Sequence, residues 1–362
     1  MPALFEPLTI RTITFRNRVW VAPMCQYSVF DEDGIPTTWH LVHLGALATG
    51  GSALVMTEAT AVTADGRISP RDTGIWNDTQ RDAWKPIADF IHSRGAVAGM
   101  QLAHAGRKAS TYPAWGFDRH GSVPVAEGGW LAVSASPLAF GSYAVPAELD
   151  AAGIDEVVDA FAAGAMRAID AGFDLVELHA AHGYLLHQFL SPLSNMRTDS
   201  YGGSLENRAR LLLRVIEAVR TAIGNERVLL VRFSATDWSD GGWDEEQTAT
   251  VAGWARDRGA DFFDISTGGN VSDASIPLAP GYQVPFSDYV RSNAEVSTSA
   301  VGLITDARVA DEIVASGKAD VVMLARELLR DPHWPLRAAH ELGVDLDYWP
   351  GQYLRARWPK TP

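Results

Sequence analysis

Short apolar runs recur along this chain at wide intervals, and the segments between them carry their hydrophobic residues at helical spacing. The runs at Val19 to Pro23, Ala53 to Thr57, Val97 to Gln101 and Leu175 to Leu178 read as strands. So do Val228 to Arg232, Phe262 to Ser266, Val296 to Gly302 and Asp320 to Leu324. Each is short, mostly aliphatic and bounded by Gly, Pro or polar residues. Asp155 to Ala171 places Val158, Phe161, Ala162, Ala165 and Ile169 on one helical face, and Leu205 to Ile223 does the same with Leu212, Val215, Ile216 and Val219. Asp244 to Arg258 and Asp306 to Ser316 follow, with stops at Gly95, Gly172, Gly224, Gly259 and Gly317. Strand and helix in alternation predict parallel pairing with right-handed crossovers. About eight such units predict an α/β protein with a closed (β/α)8 TIM barrel.

Two segments break the rhythm. Leu4 to Arg16 alternates as a hairpin does (Leu8, Ile10, Ile13, Phe15) and is placed to close the barrel bottom. Residues 104–150, after the third strand, are rich in Gly, Pro, Ser and Trp and are too long for a plain loop, so they read as a lid or rim. The expectation is one barrel domain over residues 1–362, ending in a tail at 340–362.

Composition narrows the class. A chain of 362 residues with 47 % hydrophobic content sustains a large core. A formal net charge of −14 argues against a nucleic-acid surface. The single cysteine, Cys25, rules out an internal disulfide and a cysteine-ligated iron–sulfur cluster. No secretory leader or membrane-length apolar run is visible, so the expectation is a cytoplasmic protein without a membrane partner.

The chemistry collects at the predicted carboxyl ends of the strands, where such barrels place their active sites. The first strand delivers Pro23, Met24, Cys25, Gln26 and Tyr27; the second Glu58, Ala59 and Thr60; the third Gln101 and then His104. The fourth delivers His179, His182 and Tyr184, two imidazoles beside a phenol, a set suited to holding a carbonyl oxygen and delivering a proton. Arg232 ends a strand that otherwise reads VLLV, so a negative charge must sit against it: a core carboxylate such as Glu177, or an anionic locus of a bound ring. Gly302 and Ala325-Arg326 stand where these barrels hold phosphate. Gln101 donates and accepts at once, as the edge of a heterocycle requires. His179 and His182, completed by His104, Glu177 or Asp174, could instead hold a metal, but Ala180 and Ala181 replace the glutamate of a His-Glu-x-x-His motif, and no metal is expected. Tyr201-Gly202-Gly203-Ser204 reads as a turn and helix start.

Taken together, these segments resemble the old yellow enzymes, flavin-dependent ene-reductases built on a (β/α) barrel. The resemblance rests on Phe15-Arg16-Asn17-Arg18, Ala22-Pro23-Met24-Cys25, QLAHAGRK from Gln101 to Lys108, the HAAHGY…YGGSLENR block and Ala325-Arg326. Cys25 and Tyr27 make the chain similar to the smaller bacterial branch called thermophilic-like, which includes xenobiotic reductases. The resemblance implies FMN held by Ala22, Pro23, Met24, Cys25, Ala59, Gln101, Arg232, Gly302, Ala325 and Arg326, and substrate contacts from Tyr27, His179, His182 and Tyr184. It implies NADPH or NADH as hydride donor and α,β-unsaturated carbonyl compounds as substrates, with His179 and His182 on the carbonyl oxygen and Tyr184 as the acid. It also implies a homodimer or homotetramer, with Tyr353 or Arg357 of the tail as candidates to reach a neighbouring site. Relatives with an iron–sulfur cluster do not fit a chain with one cysteine. A metal-dependent aldolase or hydrolase and a non-catalytic binding barrel are the readings of other classes.

Overall fold

Eight short strands pair in parallel in chain order in the computed structural model, which describes residues 1–359; the last three residues of the 340–362 tail lie outside the described residues. They are β1 (Val19–Val21), β2 (Leu54–Met56), β3 (Val97–Ala103), β4 (Leu175–Ala180), β5 (Val228–Ser234), β6 (Phe262–Ser266), β7 (Thr298–Ala300) and β8 (Val321–Leu324). Each strand bonds to the next, and β8 returns to β1 through Val322↔Val19 and Leu324↔Val21, closing the predicted TIM barrel. The run at Val296 to Gly302 forms only a three-residue strand.

A helix follows every strand: α1 (Thr38–Thr49), α2 (Asp78–Ser93), α3 (Ala151–Asp170), α4 (Leu205–Ile223), α5 (Glu245–Asp257), α6 (Val284–Ala294), α7 (Ala307–Ala315) and α8 (Trp334–Glu341). The amphipathic pattern foretells α3, α4, α5 and α7. Each starts on a side-chain cap, from Asp150, Ser204, Asp244 and Asp306 respectively. The five predicted glycine stops lie at their helix ends with positive φ. The other helices carry weaker signals. α1 is apolar around much of its circumference, α2 runs through Pro86, and α6 and α8 begin at a proline without a side-chain cap.

Side chains alternate in and out along each strand. Val21, Val55, Met100, Leu178, Val231 and Ile265 point outward and pack under the helices. Trp20, Met56, Leu175, Leu230, Phe262 and Met323 fill the barrel's lower interior. The hairpin strands Leu8–Ile10 and Ile13–Phe15 close that end as expected: Phe15 packs tilted against Trp20 at 4.5 Å, and Trp20 against Phe262 at 4.9 Å. One step up each strand the interior turns polar. Gln101, Glu177, Arg232, Asp264 and Ser299 are all buried there, and the functional site is built on that layer.

The 104–150 segment lies on the rim of the upper mouth, with Trp115 Nε1 donating to Gln26 O at 3.0 Å. It carries a short parallel pair, Val133–Ser134 with Ala147–Glu148. The tail folds on its own chain: Arg357 Nη2 donates to Asp345 Oδ1 at 2.7 Å, Trp358 stacks on His340 at 5.1 Å, and Tyr353 lies beside His333. Among the described residues no helix is long and apolar enough to cross a membrane.

Candidate active site

The turn after β4 carries the predicted histidines and tyrosine, and three separate elements hold its shape. His182 is left-handed at φ 56°, which costs a residue with a Cβ roughly 1–2 kcal/mol. Its N–H donates to Ser234 Oγ at 2.9 Å, and Lys108 Nζ donates to both His182 O and Gly269 O at 2.9 Å. Gly183, at φ 71°, lets the loop after β6 lie directly on this turn; a Cβ there would sit 2.3 Å from Gly269 O. The two imidazoles are therefore placed before any ligand arrives.

Their protons follow from their partners. His179 Nδ1 accepts from Ala181 N, which puts its proton on Nε2. That atom lies 3.4 Å from His182 Nδ1, and His182 Nε2 lies 2.8 Å from Ser266 Oγ. The Ser266 hydroxyl donates to Gln283 Oε1 at 3.2 Å; turned instead to His182 Nε2, it leaves the His182 proton on Nδ1. Both N–H groups then converge on one point, where a single oxygen can accept both. Burial, and next the charge of Arg232, hold both imidazoles well below their ordinary pKa, so both are neutral near pH 7. The Tyr184 ring meets His179 edge-on at 4.9 Å, and burial raises its phenol well above the usual range, so it keeps its proton.

Across the mouth, the loop from β1 places half-buried Pro23, Met24, Cys25 and Tyr27 beside buried Ala22 and Ala59. Burial pushes the Cys25 thiol well up, so it is not a thiolate at neutral pH. Tyr27 is raised for the same reason. The loop is tied down by Gln26 N–H donating to Glu58 Oε2 at 2.9 Å.

Below the mouth, Arg232 Nε lies 2.7 Å from Asp264 Oδ2, and Ser299 Oγ donates to Asp264 Oδ1 at 2.5 Å. The carboxylate facing Arg232 is thus Asp264 on the neighbouring strand rather than Glu177, because Arg232 and Asp264 are paired across β5 and β6. Glu177 instead accepts from Gln101 Nε2 at 2.7 Å. The Nη atoms of Arg232 have no hydrogen-bond partner among the described residues, which leaves them free for an anionic ring edge. Behind β7 and β8, a cavity of about 180 Å³ is lined by Gly302, Leu303, Ala325 and Arg326. Gly302 sits at φ 117°, a backbone conformation that favours glycine, and a Cβ there would also press on the Gln283 side chain, 2.8 Å from its Nε2. A free guanidinium fork and a glycine-lined cavity fit a flat heterocycle carrying a phosphate, which is the shape of FMN.

Asp174, one of the possible metal partners, faces outward to His92 at 2.7 Å. Among the described residues no three His, Cys, Asp or Glu side chains gather to hold a metal. Ser204 caps α4, as the turn reading expects. Nothing in the strand-end pattern singles out Lys108, Asp264, Ser266 or Gln283 as site residues. Asp264 carried the signal that found Arg232, a charge inside an apolar strand; Ser266 and Gln283 carry none, because Ser266 Oγ meets Gln283 Oε1 only in three dimensions, at 3.2 Å.

The model of the "NADH:flavin oxidoreductase / NADH oxidase family" matches residues 3–345. An NADPH dehydrogenase from Geobacillus sp. (strain WCH70) is 45 % identical over 343 residues, covering 95 % of both chains. The structure of morphinone reductase superposes with a TM-score of 0.79 at 29 % identity, covering 95 % of this chain and 91 % of that one. An old yellow enzyme homologue from Zymomonas mobilis superposes with a TM-score of 0.78 at 27 % identity, covering 100 % and 98 %. The chain belongs to the NADH:flavin oxidoreductase / NADH oxidase family, the old yellow enzymes, and is an FMN-dependent enzyme that takes its hydride from NAD(P)H.

Proposed function

We propose that this enzyme reduces the C=C bond of α,β-unsaturated carbonyl compounds. The observation that carries this reading is the pair of neutral imidazoles, with His179 Nε2 and His182 Nδ1 3.4 Å apart and Tyr184 against the first of them. When bound, FMN supplies the hydride store that couples NAD(P)H oxidation to alkene reduction. Arg232 and Gln101 would hold its ring, Ala22, Pro23, Met24, Cys25 and Ala59 would border it, and Gly302, Ala325 and Arg326 would take its phosphate.

The residues then divide the work. His179 and His182 donate to the carbonyl oxygen, where enolate charge grows as the β-carbon is reduced. Donors fixed in advance stabilise that charge, worth roughly 3 kcal/mol for one good donor in comparable sites. They act by hydrogen bonding and not by proton transfer, because both are buried and neutral. Tyr184, protonated at neutral pH, delivers its proton to the α-carbon, and Tyr27 borders the substrate from the opposite wall. Lys108 fixes the turn that carries His182.

The test is a half-reaction comparison in anaerobic stopped flow with NADPH and then 2-cyclohexenone. His179→Ala and His182→Ala should abolish the charge-transfer absorbance of bound phenols and slow enone reduction. Variants that keep both the band and the rate would remove the oxygen-holding role.

A further inference from the structure

The polar layer beneath the mouth holds one cation and two carboxyl groups. Arg232 is the cation, and its Nε is engaged by Asp264 at 2.7 Å. Asp264 Oδ1 accepts the Ser299 hydroxyl and its Oδ2, which has no hydrogen-bond partner among the described residues, lies directly against the Arg232 cation, so Asp264 holds the counter-charge of the layer. Glu177 is fully buried on β4. One oxygen accepts the neutral Gln101 amide at 2.7 Å. The other, Oε2, is buried with no hydrogen-bond partner among the described residues. An anion without a donor in a dry interior is the costly state, and ionising both carboxyls against one guanidinium leaves one negative charge unbalanced.

We propose that Glu177 is a neutral carboxylic acid in the working enzyme, that it orients the Gln101 amide beneath the flavin, and that its proton keeps this layer without net charge. The second and third parts rest on the reading that places FMN over Gln101 and Arg232. With Nε2 bonded to the acid's carbonyl oxygen, Gln101 is held in one flip state and presents its own C=O and its second N–H to the ring edge. The layer then sums Arg232 at plus one, Asp264 at minus one and Glu177 at zero. Ionising Glu177 would add a negative charge below a ring that itself gains negative charge on reduction, and would disfavour the reduced form. Burial, and then the Asp264 charge, push the Glu177 carboxyl up to about 8, partly offset by Arg232 and the Gln101 bond. The charged or titratable groups facing it are Asp264 and Arg232 from β6 and β5; β3 offers only the neutral amide of Gln101. Glu177 is a positioning residue, since it acts through Gln101 and through the field.

Two measurements on the FMN-loaded enzyme test this. The first is infrared absorption at pH 7. It should show a carboxylic acid C=O band that shifts in D2O, disappears in Glu177→Gln and persists in Asp72→Asn, the other buried carboxyl raised toward neutrality. Carbon-13 labelling of glutamate alone should shift the same band in the unmodified enzyme, which keeps the test open if the variant folds poorly. Absence of the band, or its survival in Glu177→Gln, overturns the proposal. The second is the midpoint potential of bound FMN from pH 6 to 9. The unmodified enzyme should show a segment of extra-steep fall near pH 8 that Glu177→Gln lacks. A band that behaves as expected beside two parallel potential lines would leave the proton on Glu177 and overturn its coupling to the cofactor. Loss of the phenol band in the His179 variant bears only on the functional reading, so the two can fail separately.

Discussion

Replacing Glu177 by glutamine should make the enzyme more stable near neutral pH, and the gain should vanish in acid. The perturbation is isosteric and leaves an oxygen to accept from Gln101 Nε2. The sign follows from linkage. A carboxyl raised from 4.5 to about 8 in the folded state keeps its proton while the unfolded chain loses it. Its contribution is therefore intact below pH 4.5 and drains away as pH rises toward 8. Each pH unit in that window costs about 1.4 kcal/mol. Integrated from pH 5 to pH 7, where the unfolded glutamate is already part-ionised at the start, the loss is about 2.5 kcal/mol. Glutamine does not titrate and suffers none of it. Chemical denaturation at pH 5 and pH 7, with the same excess of FMN throughout, should show the variant gaining about 2.5 kcal/mol over the unmodified enzyme between the two conditions. Using the difference between pH values cancels any constant packing cost of the substitution. A variant-minus-parent difference that is the same at both pH values would refute the reasoning, because it would mean that Glu177 is already ionised in the folded protein.

Tyr184→Phe removes the proposed acid and little else; enone reduction should fall by roughly 10²- to 10⁴-fold, while flavin reduction by NADPH changes little, and equal slowing of both halves would count against the role. Ser266→Ala removes the hydroxyl 2.8 Å from His182 Nε2, the group that can turn from Gln283 to serve that nitrogen when the proton sits on Nδ1; phenol binding should weaken by about 5-fold, one ordinary hydrogen bond, as read by titrating the charge-transfer band. Trp20→Ala empties the floor of the barrel between Phe15 and Phe262 and should cost about 3–5 kcal/mol in denaturant titration, with the phenol titration of the folded fraction unchanged.

Much of the site was legible because a parallel barrel sends its strand ends to one mouth. Once eight strands were placed, His179, Arg232 and Gly302 had to meet there whatever their distance in the chain. What could not be read was the partnering inside that mouth. The sequence pattern allowed Glu177 as the counter-charge of Arg232; the ladder register set Asp264 opposite Arg232 instead and left Glu177 on the far side against Gln101. Likewise Lys108 belongs to a motif that named it, yet its work of holding His182 O and Gly269 O depends on a loop more than a hundred and fifty residues away.

By itself the sequence determined the architecture and the chemical inventory. Alternating apolar runs and amphipathic stretches admit few folds that bury both, and side-chain types settle which atoms can donate or accept. The tertiary structure decided which donors face which acceptors, where protons reside and which carboxyl is left without a cation. Those outcomes depend on distances of a few ångströms in a dry interior, and electrostatic energies there change steeply over such distances, far more finely than any pattern along the chain can specify.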